Sequence, residues 1–150
     1  MAVIGIVIGV LALIGTGWGV YYARGQLREA QKVREQNEAF INTQMKQDDL
    51  WAEKSVRASQ MLCAVAPRFV QGGPGRPGGD ALCLLFPDYR VRNRILSHLI
   101  EKQSGLGYTM RPIDVSQLRV KPMRELIDMV LTRIEDFRIQ EPDLAARIGL

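Results

Sequence analysis

The sequence predicts a mostly α-helical chain: a single N-terminal transmembrane helix continuing into a helical stalk, then a small helical cytoplasmic domain. Three observations predict it. Residues 2–23 carry no charge and run straight into Arg24, and a bilayer core about 30 Å thick needs about 20 apolar residues of helix. Residues 24–47 are rich in Gln, Glu, Lys and Arg, with no glycine after Gly25 and no proline, a composition of good helix formers. Beyond them, apolar residues recur at helical spacing in three further stretches.

The anchor is assigned to residues 1–23. A soluble chain of this size has no core deep enough to enclose a helix that is apolar on every face. A cleaved signal peptide needs a basic leading region, a shorter apolar core and a small-x-small cleavage site. Here only Met1 precedes the run, and Tyr21-Tyr22-Ala23 is a poor cleavage sequence. Arg24, Arg28, Lys32 and Arg34 crowd the carboxyl flank, whereas the amino flank has no Lys or Arg. The positive-inside bias therefore puts the N-terminus outside and the C-terminal domain in the cytoplasm. Trp18, Tyr21 and Tyr22, with Arg24, Arg28 and Lys32, form the expected membrane interface. The three bases share one helix face, but Glu29 and Glu35 dilute their charge, so they are expected only to fix topology.

Ala2, Gly5, Gly9, Ala12, Thr16, Gly19 and Ala23 are all small and alternate in steps of three and four. On a helix they form one transmembrane packing face. Apolar surface gives helices no reason to meet in lipid, so association relies on close backbone approach, which small residues permit. The spacing, about 3.5 residues on average, fits a left-handed helix pair. The expected partners are membrane lipid and another transmembrane helix, from a second copy or from a different protein.

Residues 24–70 form the predicted stalk and an amphipathic helix. Ala30, Val33, Asn37 and Phe40 keep a three-four rhythm, then Gln44 and Gln47 take the next two core positions. The pattern decays within two heptads, which predicts a solvated polar stalk rather than a zipper. Trp51, Ala58, Leu62, Val65 and Phe69 then make an apolar stripe, with Val56 and Cys63 beside it, and Pro67 ends the helix or kinks its last turn. Residues 71–79, Gln-Gly-Gly-Pro-Gly-Arg-Pro-Gly-Gly, read as a flexible linker. They lack the lysine and hydroxyl residue of a phosphate-binding loop.

Residues 80–150 form the predicted small helical domain. Asp80 is placed to cap a short apolar turn over 81–86. Pro87-Asp88 starts a helix to about Gln103, with Val91, Ile95, Leu96, Leu99 and Ile100 on its buried face and Gly105 as its stop. Residues 108–120 are irregular, broken by Pro112, with room for a short strand. Met123, Leu126, Ile127, Val130, Leu131, Ile134 and Phe137 repeat at i, i+3, i+4, i+7, with Pro122 near the first turn. Pro142-Asp143 opens a last helical turn ending at Gly149.

The chemistry is sparse. The net charge is +4, but residues 80–150 hold eleven basic and ten acidic side chains, so no nucleic-acid footprint is expected. His98 is the sole histidine, too few donors for a zinc site even with Cys63 and Cys83. The cysteines are expected as buried small hydrophobes, and Glu125, Asp128 and Glu135 as surface ion-pair partners of Arg124 and Arg133. No catalytic residue, metal site or cofactor is predicted, nor any hydrolase, metalloprotease or dinucleotide motif. These observations point to a non-enzymatic interaction or accessory/assembly subunit of a larger membrane complex, cellular or viral. The alternative is a self-oligomerising single-span signalling or effector module.

Overall fold

In this computed structural model the backbone is described for residues 2–66, 69–70, 79–104 and 107–150, and the side chains for residues 18, 21–66, 81–104 and 107–150. The chain is mostly helical and divides into two units, Met1–Met45 and Lys46–Leu150.

Unit 1 is the N-terminal part of helix α1 (Ala2–Val65). Its residues 24–45 are mostly straight-chain polar helix formers, so local propensity alone favours the helix. Thr43 fits by turning its Oγ1 back to the Ala39 carbonyl at 2.8 Å. All described side chains of this unit are exposed, including Leu27, Val33, Phe40, Ile41 and Met45.

Among the described residues, unit 2 joins the remainder of α1 to mostly short elements. Strands β1 (Phe69–Val70) and β2 (Gly79–Asp80) pair antiparallel, with Phe69 opposite Asp80. Helices α2 (Ala81–Leu85) and α3 (Tyr89–His98) follow. Strands β3 (Ile100–Gln103) and β4 (Gly107–Met110) form a second antiparallel pair, Ile100 opposite Met110. Helices α4 (Val115–Leu118), α5 (Lys121–Gln140) and α6 (Pro142–Ile148) complete the order. Ala58, Leu62 and Val65 of α1 share one core with Leu82, Leu85, Ile95, Ile127, Val130, Ile134 and Ile148. Each such large side chain contributes about 1.5–3 kcal/mol by leaving water.

The periodic stretch over 123–137 folds as predicted. In α5, Met123, Leu126, Ile127, Val130, Ile134 and Phe137 are buried. Helix α6 ends at Gly149, whose φ of 87° lets its N–H reach the carbonyls of Ala145 and Ala146. A side chain there would be strained, which is why glycine stops this helix.

Two expectations are corrected. The helix expected to reach Gln103 stops at His98: Leu99 caps it, and residues 100–103 leave to pair with β4. Leu99 and Ile100 are still completely buried, as a helix would have had them, so burial alone does not separate the two structures. Phe69, expected on the helical stripe, lies in β1, because α1 ends at Val65 before Pro67. Of the apolar stripe expected on the amphipathic helix, Ala58, Leu62 and Val65 are buried in the core. The expected linker lies outside the described residues over 71–78, as does Gly105, and its last residue, Gly79, pairs with Val70. Within the irregular stretch, Asp114 starts α4 by accepting the Ser116 N–H at 3.2 Å, as Asp88 starts α3 by accepting that of Arg90 at 2.7 Å.

Candidate functional site

Two regions hold the candidate groups, and each lies within one unit. In unit 1, Trp18, Tyr21 and Tyr22 are strongly exposed. The Trp18 and Tyr22 rings, one helical turn apart, lie 6.1 Å between centroids, and Tyr21 meets Tyr22 edge-on at 6.4 Å. Arg24, Arg28 and Lys32 follow on one face, all exposed. Gly25 lies between them with nothing within 4 Å of where a Cβ would sit. Of the predicted packing face, Ala23 is exposed. Ala2, Gly5, Gly9, Ala12, Thr16 and Gly19 have helical backbone, but their surroundings lie outside the described residues. Among the described residues no helix is long and apolar enough to cross a membrane.

In unit 2 the best-defined polar feature is a pair that no sequence pattern marks. Arg119 just after α4 grips Asp48 of α1 with both sides of its guanidinium, Nε to the two carboxylate oxygens at 3.2 Å and Nη2 to Oδ2 at 2.6 Å. That hydrogen bond holds the Asp48 carboxyl below its ordinary range and raises Arg119 above its own. The two residues are 71 positions apart, so no local pattern announces them. Trp51 lies one turn further along α1. Its ring receives the Lys54 ammonium at 4.6 Å and the Arg124 guanidinium at 5.3 Å, and Lys54 also pairs with Asp128 at 3.0 Å.

The expected pairing of Arg124 and Arg133 with nearby carboxylates is corrected. Arg124 Nε donates to the Leu118 carbonyl at 2.8 Å and Arg133 Nε to that of Leu85 at 3.1 Å. Arg92 Nη1 donates to the carbonyls of Phe86 and Pro87, at 2.6 and 2.7 Å. Helices of four and five residues leave most of their carbonyls without an internal partner. These arginines fill that need at the ends of α4 and α2, so Asp128 goes to Lys54 and Glu125 to Lys121.

Among the shallow cavities on unit 2 are two with both polar and apolar walls. One, about 220 Å³, is lined by Arg94, His98, Gln117, Val120, Pro122, Met123 and Leu126. The other, about 250 Å³, lies between α1 and the segment 110–118, with Val56, Met110 and Val115 among its walls. His98 is exposed, and no group of three or more His, Cys, Asp or Glu side chains able to hold a metal exists among the described residues. Both cysteines are free, Cys63 half-buried and Cys83 exposed, which corrects the expectation that both are buried. Cys63 sits beside the apolar stripe of α1 rather than on it, and partial burial pushes its thiol up. Neither cavity therefore gathers the nucleophile, base and orienting group of a hydrolytic centre.

No family model matches this chain, and neither a curated protein nor a solved structure matches it.

Proposed function

We propose that this protein is a membrane-anchored, non-enzymatic interaction or accessory subunit of a larger membrane assembly, cellular or viral. Its anchor is the single span over residues 1–23, packed through the small-residue face Ala2, Gly5, Gly9, Ala12, Thr16, Gly19 and Ala23. The observation that carries this reading is the uncharged run of residues 2–23 ending at Arg24. Its length suits one bilayer crossing, and the exposed Trp18, Tyr21 and Tyr22 beside Arg24 and Arg28 have the chemistry of a headgroup belt. The basic flank puts the C-terminal domain on the cytoplasmic side. Arg92, Arg124 and Arg133 are engaged with backbone carbonyls at the ends of short helices, which supports a binding or scaffolding role for that unit.

The test is extraction of the full chain from membranes in mild detergent, followed by mass measurement of the native particle. A reproducible particle containing a second membrane helix, lost in Gly9→Leu while Trp51 fluorescence is unchanged, is the expected result. A chain that washes from membranes in alkaline carbonate refutes the anchor. A monomer refutes the packing face.

A further inference from the structure

Unit 1 exposes apolar side chains along a face of α1: Leu27, Val33, Phe40 and Ile41 are 62, 55, 61 and 48% exposed. Placing Ala23, Ala30 and Asn37 at heptad position a puts Gln26, Val33 and Phe40 at d. The small-residue face falls in the same register, with Ala2, Gly9 and Thr16 at a and Gly5, Ala12 and Gly19 at d. Seven-residue steps thus run without insertion from Ala2 to Phe40. A stripe that keeps this period stays on one side of a left-handed supercoil.

We propose that α1 pairs in parallel, in register, with α1 of a second copy of this chain along that seam, and that the pairing extends beyond the apolar run through Phe40. This deepens the reading above and rests on it for the parallel arrangement: two copies anchored in one membrane from the same side must run the same way. Charge complementarity favours the second copy as occupant. In a parallel pair each g residue faces the e residue five positions on in its partner. Glu29 is at g and Arg34 at e, so the pair forms an ion pair on each side of the seam. Leu27 and Ile41 occupy e positions and widen the apolar strip. Asn37 is the polar residue at a, the placement that holds two helices parallel and in one register at some cost in stability.

The outward positions are used differently. Arg24, Arg28 and Lys32 fall at b, f and c, and Trp18 and Tyr21 at c and f. These groups suited to lipid headgroups therefore stay free when the seam closes, while Tyr22, at g, flanks it. A seam with Gln26 and Asn37 in its core is weak for two free peptides. Tethering both copies to one membrane raises their effective concentration, which offsets that weakness.

Disulfide mapping of the full chain in membranes tests the pairing. In a background with Cys63→Ala and Cys83→Ser, single cysteines replace Ala30 and Asn37 on the seam or Glu35 on the opposite face. A disulfide needs Cα atoms about 4.4–6.8 Å apart, so mild oxidation is expected to give covalent dimer for Ala30→Cys and Asn37→Cys and to lose it for Glu35→Cys. Adding Glu29→Arg should lower the yield and adding Arg34→Glu to that variant should restore it. Equal yields at the three positions, or no dimer at position 37, overturn the proposal. A chain that crosslinks at 30 and 37 but leaves the membrane in carbonate keeps the pairing and refutes the anchor. One that stays in the membrane without crosslinking keeps the anchor and refutes the pairing.

Discussion

Ser59 offers a measurable test of how the core of unit 2 is joined. It is 2% exposed, and its Oγ donates to the Leu99 carbonyl at 3.0 Å, linking α1 to the residue where α3 gives way to β3. The same carbonyl accepts the Arg111 N–H at 3.1 Å. Ser59→Ala therefore removes one hydrogen bond without leaving its acceptor unpaired. A buried acceptor left with no donor costs about 1–3 kcal/mol, whereas the net worth of one ordinary hydrogen bond is about 0.5–1.5 kcal/mol. The second figure applies, and a loss of about 1 kcal/mol is expected. Urea unfolding of the full chain in mild detergent, followed by Trp51 fluorescence in a Trp18→Phe background, reads it as a shifted midpoint at constant slope. A loss beyond about 3 kcal/mol would show that the carbonyl depends on Ser59 alone. An unchanged midpoint would show that the bond contributes nothing.

Ile127 is completely buried and Ile139 is 74% exposed on the same helix. By the same assay Ile127→Ala should cost about 2–5 kcal/mol and Ile139→Ala no more than about 0.5 kcal/mol. Asp48 has its folded pKa lowered, first by the Arg119 hydrogen bond, so its contribution is present above its unfolded value and is lost as pH falls through the lowered one. Asp48→Asn should accordingly flatten the fall in stability below about pH 4, leaving the share of Asp114, which its bond from the Ser116 N–H shifts the same way; an unaltered acid limb would show that the pair is not formed. Exposed Cys83 should react with maleimide well before half-buried Cys63, whose thiol burial pushes up; mass spectrometry of the labelled peptides checks the order.

The elements legible in the sequence are those whose apolar residues repeat over three or more turns. Helix α5 shows its core face in full, and α6 is bracketed by Pro142 and Gly149, whose backbone preferences act locally. The β3–β4 pair is not legible. Its first strand exposes three of four residues, so it carries no two-residue alternation, and Leu99-Ile100 continues the α3 pattern smoothly. Pairing with β4 decides that segment, and pairing is a relation between residues four to ten apart that neither strand encodes alone. Asp48 and Arg119 are illegible for the same reason at longer range.

Arginine usage differs between the two units for a structural reason. The chain has fifteen arginines and five lysines, an excess suited to bidentate contacts. In unit 2, Arg92, Arg124 and Arg133 direct guanidinium donors to backbone carbonyls, and Arg119 clamps Asp48 with two nitrogens. A planar fork of donors reaches two acceptors at fixed spacing, which an ammonium on a flexible stem does less well. Domains with four- and five-residue helices need such external partners, since those helices close few bonds of their own. Arg92, Arg124 and Arg133 are therefore explained by the short elements of unit 2, whereas Arg119 ties the end of α4 to α1. By contrast Arg24, Arg28 and Lys32 of unit 1 border no short helix that needs fastening. They are exposed on one face of α1, opposite its a and d positions. Charge of the same sign is thus used in two ways, fastening short elements in one unit and standing exposed on one helix face in the other.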